Sequence, residues 1–362
     1  LIRRIFDAAP KGAINLGLGE PDETTPAGIC LAGVAGIAQG RTGYTSTAGD
    51  LVLRRRLAER YAGIVGGPDE VLVTVGSQEA LYVACLALVD EGSEVLHPDP
   101  GYPAYATLAR LVGAEPVPYA LRPEQQFRLV AEDVERRLTD RTGLVILCAP
   151  SNPTGACHPR GELAKLVQLL GERGIGWLSD EVYGELTYGE PCPSPAEIAP
   201  DGGVVVAGLS KELSMTGWRI GWLLGPREIV ARATAAHQYL VTCAPSISQF
   251  AALEALGERG RAESRRWLDR LRERRALMAT ELARIPGVRY AMPDGGFYFF
   301  VDVSAHGASL EVARRLLERR RVITIPGDAF GKGGEGYLRF SFAAREGEIV
   351  RGLSAVREEL AD

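Results

Sequence analysis

Between residues 71 and 224 the sequence alternates short apolar runs with stretches of helical periodicity, and this pattern constrains the fold more than any other feature. Residues 71–75, 94–97, 143–148, 176–179, 204–207 and 220–224 read as strands. Residues 78–89, 105–111, 132–138 and 161–172 read as helices between them. Strands that are apolar on both faces belong to a mainly parallel sheet covered by helices on both sides. Ligands of such sheets gather at the C-terminal ends of the strands. Beyond residue 260 the pattern changes. A long arginine-rich amphipathic stretch, 261–284, reads as a connecting helix. After Pro286, strand-like runs at 288–290, 297–303, 322–325 and 337–342 combine with helices near 310–320 and 346–360 into a smaller α+β domain.

A length of 362 residues suits two domains at ~150 residues each. The formal net charge of −5 gives no electrostatic footprint for nucleic acid or an anionic membrane surface. No apolar run reaches the ~18 residues that span a bilayer. Nucleic-acid and membrane partners are therefore not expected. The six cysteines form no Cys-x-x-Cys pair and no signal-like N-terminus is visible, so reduced thiols in a cytoplasmic protein are expected. The four histidines have no metal-ligand spacing, and no metal is expected.

The chemistry centres on Lys211. It follows the apolar run Val204-Val205-Val206 and stands within Gly208-Leu209-Ser210-Lys211-Glu212-Leu213. Only four of the 41 basic residues are lysines, and Lys211 alone lies at the end of a buried strand among small residues. Arg219, in Gly217-Trp218-Arg219-Ile220-Gly221, can return to the same pocket and hold an anion. An amine beside a phosphate clamp is what a Schiff-base lysine of a pyridoxal 5'-phosphate enzyme requires.

Other strand ends supply candidate partners. Gly76-Ser77-Gln78 joins a strand to a helix, where backbone N–H groups and the dipole favour a phosphate. Ser77 equally suits a plain N-cap. Asp180 ends the Trp177-Leu178-Ser179 run and, if buried, needs a cation such as a protonated pyridine nitrogen. Tyr183 follows it within reach of the ring oxygen. A helix-capping Asp with a packed Tyr is the alternative. Asn152, in Pro150-Ser151-Asn152-Pro153-Thr154-Gly155, belongs either to a tight turn or to a donor for the same oxygen. Tyr102, in Asp99-Pro100-Gly101-Tyr102-Pro103, can stack on a flat ring or simply pack. Arg339, in Leu338-Arg339-Phe340-Ser341, is an edge-strand surface residue or an inward clamp whose planar fork matches a carboxylate. Together the set contains an amine, a partner for a ring nitrogen, partners for a ring oxygen, a phosphate clamp and a carboxylate clamp.

From about Asn15 to its end the chain resembles a class I/II aminotransferase of the aspartate aminotransferase superfamily, PLP fold type I. The resemblance rests on Gly208–Gly221 as the lysine-attachment signature, with 151–155, 180–183 and 338–341 in the expected order. It implies a seven-stranded, mainly parallel large-domain sheet sandwiched by helices over 41–265. It also implies a small domain over 266–362 and an N-terminal segment, 1–40, associated with the small domain. Lys211 is then the Schiff-base residue and proton carrier, with Asp180 and Tyr183 as its catalytic companions. Ser77, Gln78 and Arg219 hold the phosphate, Tyr102 stacks on the ring, and Asn152 and Tyr183 reach its oxygen. Arg339, Asn152 and the Gly19 backbone bind the substrate carboxylate. Tyr44 matches the residue that reaches the phosphate in the neighbouring subunit of a homodimer. The implied reaction is a ping-pong transfer of an amino group between an L-amino acid and a 2-oxo acid. Two departures bear on it. Gly208 stands where the family often has serine, and Gln78 stands where aspartate-specific relatives often have lysine. The second points to neutral, aromatic or broad substrates. A β-lyase acting on cysteine conjugates, or a non-catalytic regulatory module binding the same cofactor, uses the same residues.

Overall fold

The structure, a computed structural model, describes residue 10 and residues 12–361; the first nine residues of the expected N-terminal segment, and Lys11, lie outside it. Thirteen strands are found among the described residues. They are β1 (Ile14–Asn15), β2 (Val71–Thr74), β3 (Glu94–Asp99), β4 (Glu115–Ala120), β5 (Thr142–Cys148), β6 (Gly176–Asp180), β7 (Gly203–Gly208), β8 (Gly221–Leu224), β9 (Arg289–Tyr290), β10 (Tyr298–Asp302), β11 (Val322–Ile323), β12 (Ile325–Pro326) and β13 (Tyr337–Ser341).

Strands β2 to β8 form one seven-stranded sheet in the order β2-β8-β7-β6-β5-β3-β4. It is parallel except for β8, which runs antiparallel to both of its neighbours. A mainly parallel sheet is what the alternation predicts, and its seven strands are what the resemblance implies. One strand of it, β4, lies outside the expected runs. Its sequence, Glu-Pro-Val-Pro-Tyr-Ala, carries two prolines that no central strand tolerates. As the outermost strand it pairs, among the described residues, with β3 alone.

Both faces of the sheet are covered. Ser77–Leu88, Ala104–Leu111 and Arg227–Val241 bury Leu81, Val83, Leu108 and Val230 against Val95, Ile146, Leu178 and Leu223. Leu51–Arg60, Arg160–Glu172 and Ser246–Ala255 cover the opposite face, around Val73, Val145, Trp177 and Trp222. Helix Leu51–Arg60 starts at Asp50, whose Oδ1 accepts from the Val52 and Leu53 amides as an N-cap. Helix Ala27–Ala38, in the N-terminal segment, packs on Ser246–Ala255.

The connecting helix spans Glu258–Leu282 and leads to the second core. There an antiparallel sheet in the order β12-β13-β10-β9 packs with helices Ser309–Arg320 and Glu346–Ala361 around Phe297, Phe299, Phe340 and Phe342. The run 322–325, expected as one strand, is two. β11 pairs with β1 and β12 pairs with β13, with Thr324 between them passing from one sheet to the other. The expected helix 132–138 is shorter, Ala131–Glu135.

The expectation of six reduced thiols is corrected. Cys157 and Cys192 are joined in a disulfide, and Cys30, Cys85, Cys148 and Cys243 are free. Spacing could not reveal the pair, because the fold, not the sequence, brings the segments after β5 and β6 together.

Candidate active site

β2, β3, β5, β6 and β7 each deliver a residue to one end of the large sheet. Ser77 opens the helix after β2, Tyr102 follows β3, Asn152 follows β5, Asp180 ends β6 and Lys211 follows β7. They converge on a cavity of about 300 Å³ that is also lined by Gly19, Gln78, Tyr105, Tyr183, Arg219, Tyr298 and Arg339. Ten of the eleven candidates are thus brought together. Tyr44 is the exception. It is 87% exposed and lies outside this cavity.

Asp180 lies at the buried floor, 5% exposed. Its Oδ2 accepts the Tyr105 hydroxyl at 2.8 Å and its Oδ1 accepts the Val182 amide at 3.3 Å. Desolvation outweighs these bonds and raises its carboxyl to about 6. Lys211 is shifted the other way. Burial lowers its amine to about 8, and the Arg339 and Arg219 charges act in the same direction. Its Nζ donates to the Gly19 carbonyl at 2.6 Å. An amine so depressed has its neutral, nucleophilic form within reach of physiological pH.

The end of the cavity expected to hold a phosphate is built on left-handed backbone. Gly76 has φ +76°, and a Cβ there would run into the Arg219 guanidinium. Arg219 itself has φ +52°, a left-handed conformation that aims its side chain back at the turn. Its Nη1 donates to the Thr216 carbonyl and its Nη2 to that of Val75. Gly221 also lies against this turn, since a Cβ would strike the Ser77 amide nitrogen. The turn is braced by Glu79, which accepts from the Val75 amide and bonds to the fully buried His237 at 2.9 Å.

Arg339 comes from β13 and is 4% exposed. Its Nη1 donates to Asn152 Oδ1 at 2.8 Å and its Nη2 to the Gly17 carbonyl at 2.7 Å. Its guanidinium stacks on Tyr298 at 4.1 Å and on Phe330 at 4.9 Å. The inward clamp is the geometry found. Tyr183 donates to or accepts from Tyr298 through their hydroxyls at 2.8 Å, and the Tyr102 hydroxyl donates to Gln78 Oε1.

Tyr105 and Tyr298 are site residues that the sequence does not single out. Tyr105 lies in the first turn of the helix Ala104–Leu111, three positions after Tyr102, and the two rings meet edge to face. Tyr298 sits in the aromatic run Phe297-Tyr298-Phe299-Phe300, where only the period-two alternation of a strand separates site from core.

Residues 11–356 match the family model described as aminotransferase class I and II. A putative aminotransferase of Bacillus subtilis is 36% identical, covering 99% of this chain and 95% of that protein. An aspartate aminotransferase of Pyrococcus horikoshii is 34% identical, covering 99% and 94%. The crystal structure of an aromatic aminotransferase from Pyrococcus horikoshii superposes with a TM-score of 0.93 at 31% identity, covering 100% of this chain and 99% of that one.

Proposed function

The chain belongs to the class I and II aminotransferase family and is a transaminase, and from that premise we propose that it exchanges amino groups between L-amino acids and 2-oxo acids on pyridoxal 5'-phosphate, in ping-pong order. The observation that carries this reading is the pairing of a depressed amine, Lys211, with a buried carboxyl, Asp180, across one cavity.

The residues present fit the cofactor. The cavity volume falls at the small end of the range for such sites, ~300–1,000 Å³. Asp180, whose charge is disfavoured by burial, is a natural partner for a protonated ring nitrogen. Ser77, Gln78 and Arg219 would hold the phosphate, and Tyr102 would stack on the ring. Asn152 and Tyr183 would reach the ring oxygen, with the Asn152 amide nitrogen available because its Oδ1 faces Arg339. When bound, the cofactor supplies the carbonyl for Lys211 and an electron sink that acidifies the α-carbon of an amino acid.

The chain's own groups then have defined tasks. The Lys211 amine would take the α-proton of the bound amino acid as general base and, as the conjugate acid, deliver it to the cofactor's former aldehyde carbon. Asp180 keeps the ring nitrogen protonated, and Tyr105 fixes the carboxylate that does so. Arg339 grips the substrate α-carboxylate through its fork, with Asn152 and the Gly19 backbone assisting. Among the described residues the cavity's cations are Lys211, Arg219 and Arg339, each with a task. None is left for a second carboxylate. This supports neutral, aromatic or broad substrates over strict use of aspartate.

We assign residues 41–265 to a cofactor domain, 266–362 to a small domain and 1–40 to a segment associated with the small domain. No helix among the described residues is long and apolar enough to cross a membrane. A homodimer is part of the proposal. Leu31, Val34 and Ile37 form an apolar stripe on Ala27–Ala38, each more than half exposed, and Tyr44 and Tyr239 are nearly bare. A second copy would cover this surface and receive Tyr44 at its phosphate site.

The test is direct. Protein incubated with the cofactor should gain a near-visible absorption band that Lys211→Ala lacks, and should aminate 2-oxo acids. An unchanged band in Lys211→Ala refutes the assignment. Release of pyruvate and ammonia without an oxo-acid acceptor would turn the reading toward a β-lyase.

A further inference from the structure

We propose that Arg274 is a positioning residue that tethers the N-terminal segment across the active-site mouth while substrate turns over. The inference rests on the roles given above to Lys211 and Arg339. Residues 16–25 cross the cavity between the two halves of the site. The Gly17 carbonyl accepts from Arg339 and the Gly19 carbonyl accepts from Lys211. These donors are the ones that a substrate carboxylate and a Schiff base would take. Binding therefore competes away both of the segment's hydrogen bonds to the catalytic groups, and other contacts must keep it in place.

On the large-sheet side, Glu20 bonds to Thr216, and the Thr25 hydroxyl donates to the Ser214 carbonyl while accepting from Trp218. On the other side Glu23 pairs with Arg270 at 3.1 Å, and the more buried anchor is Asp22. Its amide donates to the Ala343 carbonyl at 3.0 Å, and its Oδ1 accepts from Arg274 Nη1 at 2.7 Å. Arg274 lies on the connecting helix with its side chain only 4% exposed. Its Nε donates to Glu346 Oε1 at 2.6 Å, at the start of the C-terminal helix. Its guanidinium packs over Trp267 at 5.4 Å, and Trp267 Nε1 donates to the backbone carbonyl of Lys211 at 3.1 Å. One buried fork thus touches the segment over the site and the small-domain helix. Through a single ring it also meets the backbone of the catalytic lysine. A buried arginine bonded to two carboxylates has a strongly preferred geometry, which lysine cannot copy. Arg274 itself touches none of Ser77, Gln78 and Arg219, so the tether acts on substrate grip more than on cofactor grip.

The experiment compares Arg274→Met, Arg274→Lys, Asp22→Asn and the Asp22→Asn/Arg274→Met double variant, each in the full chain. Arg274→Met and Asp22→Asn should each raise KM for the amino donor by about tenfold, the scale of a coupling between sites, and leave cofactor Kd within about twofold. The double variant should be no worse than Arg274→Met alone, since that change already removes the Asp22 contact. Arg274→Lys should recover only part of the loss. Amide hydrogen exchange at residues 16–22, measured without cofactor, should speed up in both single variants. Unchanged exchange and KM, or equal losses in KM and cofactor Kd that follow the fall in Tm, would overturn the tether. Should Arg274→Met fail to fold, Asp22→Asn decides the same question. The exchange measurement needs no cofactor, so failure of the tether and failure of the functional reading are told apart.

Discussion

The Tyr105 hydroxyl donates to Asp180 Oδ2 at 2.8 Å with both side chains shut away from solvent. A hydrogen bond to a charged acceptor contributes about 1.5–3 kcal/mol. It favours the ionised form, which is the form that keeps a ring nitrogen protonated. Tyr105→Phe should push the Asp180 carboxyl further above about 6 and weaken cofactor binding by roughly tenfold or more. Titrating the ligand-free protein with cofactor measures this. An unchanged Kd would show that the pair is packing alone.

Arg339 holds a place that substrate should take. Arg339→Ala should raise KM for amino donors about a hundredfold, because two charge-assisted bonds are lost. Cofactor Kd should change far less. Arg339→Lys should also bind poorly, since a point charge cannot present a fork. Steady-state kinetics beside cofactor titration checks both, and equal losses would make Arg339 structural.

Glu181 follows Asp180 but accepts from the Ser179 and Ser194 hydroxyls. Burial raises its carboxyl to about 7 from a normal value of 4.5. The folded state therefore holds a proton that the unfolded state has released. Stability from this group is present below the normal value and is lost as pH rises toward about 7, at about 1.4 kcal/mol per pH unit. Glu181→Gln should flatten the fall in Tm across that window. Asp180 contributes in the same direction in the ligand-free protein, so part of the slope should remain. An identical pH profile in the variant would contradict the shift.

The Cys157–Cys192 disulfide closes a loop of 35 residues. Under non-reducing denaturation four thiols should react of the six cysteines present, and all six after a reductant. Reduction, or Cys192→Ser, should lower stability by about 3–4 kcal/mol on the loop-entropy scale. Six reactive thiols before reduction would show that the pair is open in solution.

How much of this is legible in the sequence follows from where each signal resides. Lys211, Asp180 and Asn152 end apolar runs, where a charged or amide group is costly unless something pairs with it, so local sequence exposes them. Tyr105 and Tyr298 look like core aromatics because they are core aromatics, distinguished only by where a hydroxyl ends. Helices Ala27–Ala38, Leu51–Arg60, Arg227–Val241 and Ser246–Ala255 lie outside the expected elements. The first is apolar on nearly all sides, so its periodicity is faint. β4 is hidden by its prolines, and the disulfide by the sequence separation of 35 between its halves. Arg274 is one arginine among many on its helix. Its burial depends on Asp22 and Glu346, which are remote in sequence.

The Gly17–Arg339 hydrogen bond joins positions 322 residues apart. During synthesis the carbonyl leaves the ribosome long before its guanidinium partner exists. The large sheet can assemble meanwhile, and Lys211 can be in place, yet the carboxylate clamp is missing until β13 emerges. On the proposed reading, a nascent chain would be able to meet its cofactor before it could select a substrate, and competence would arrive only with β13.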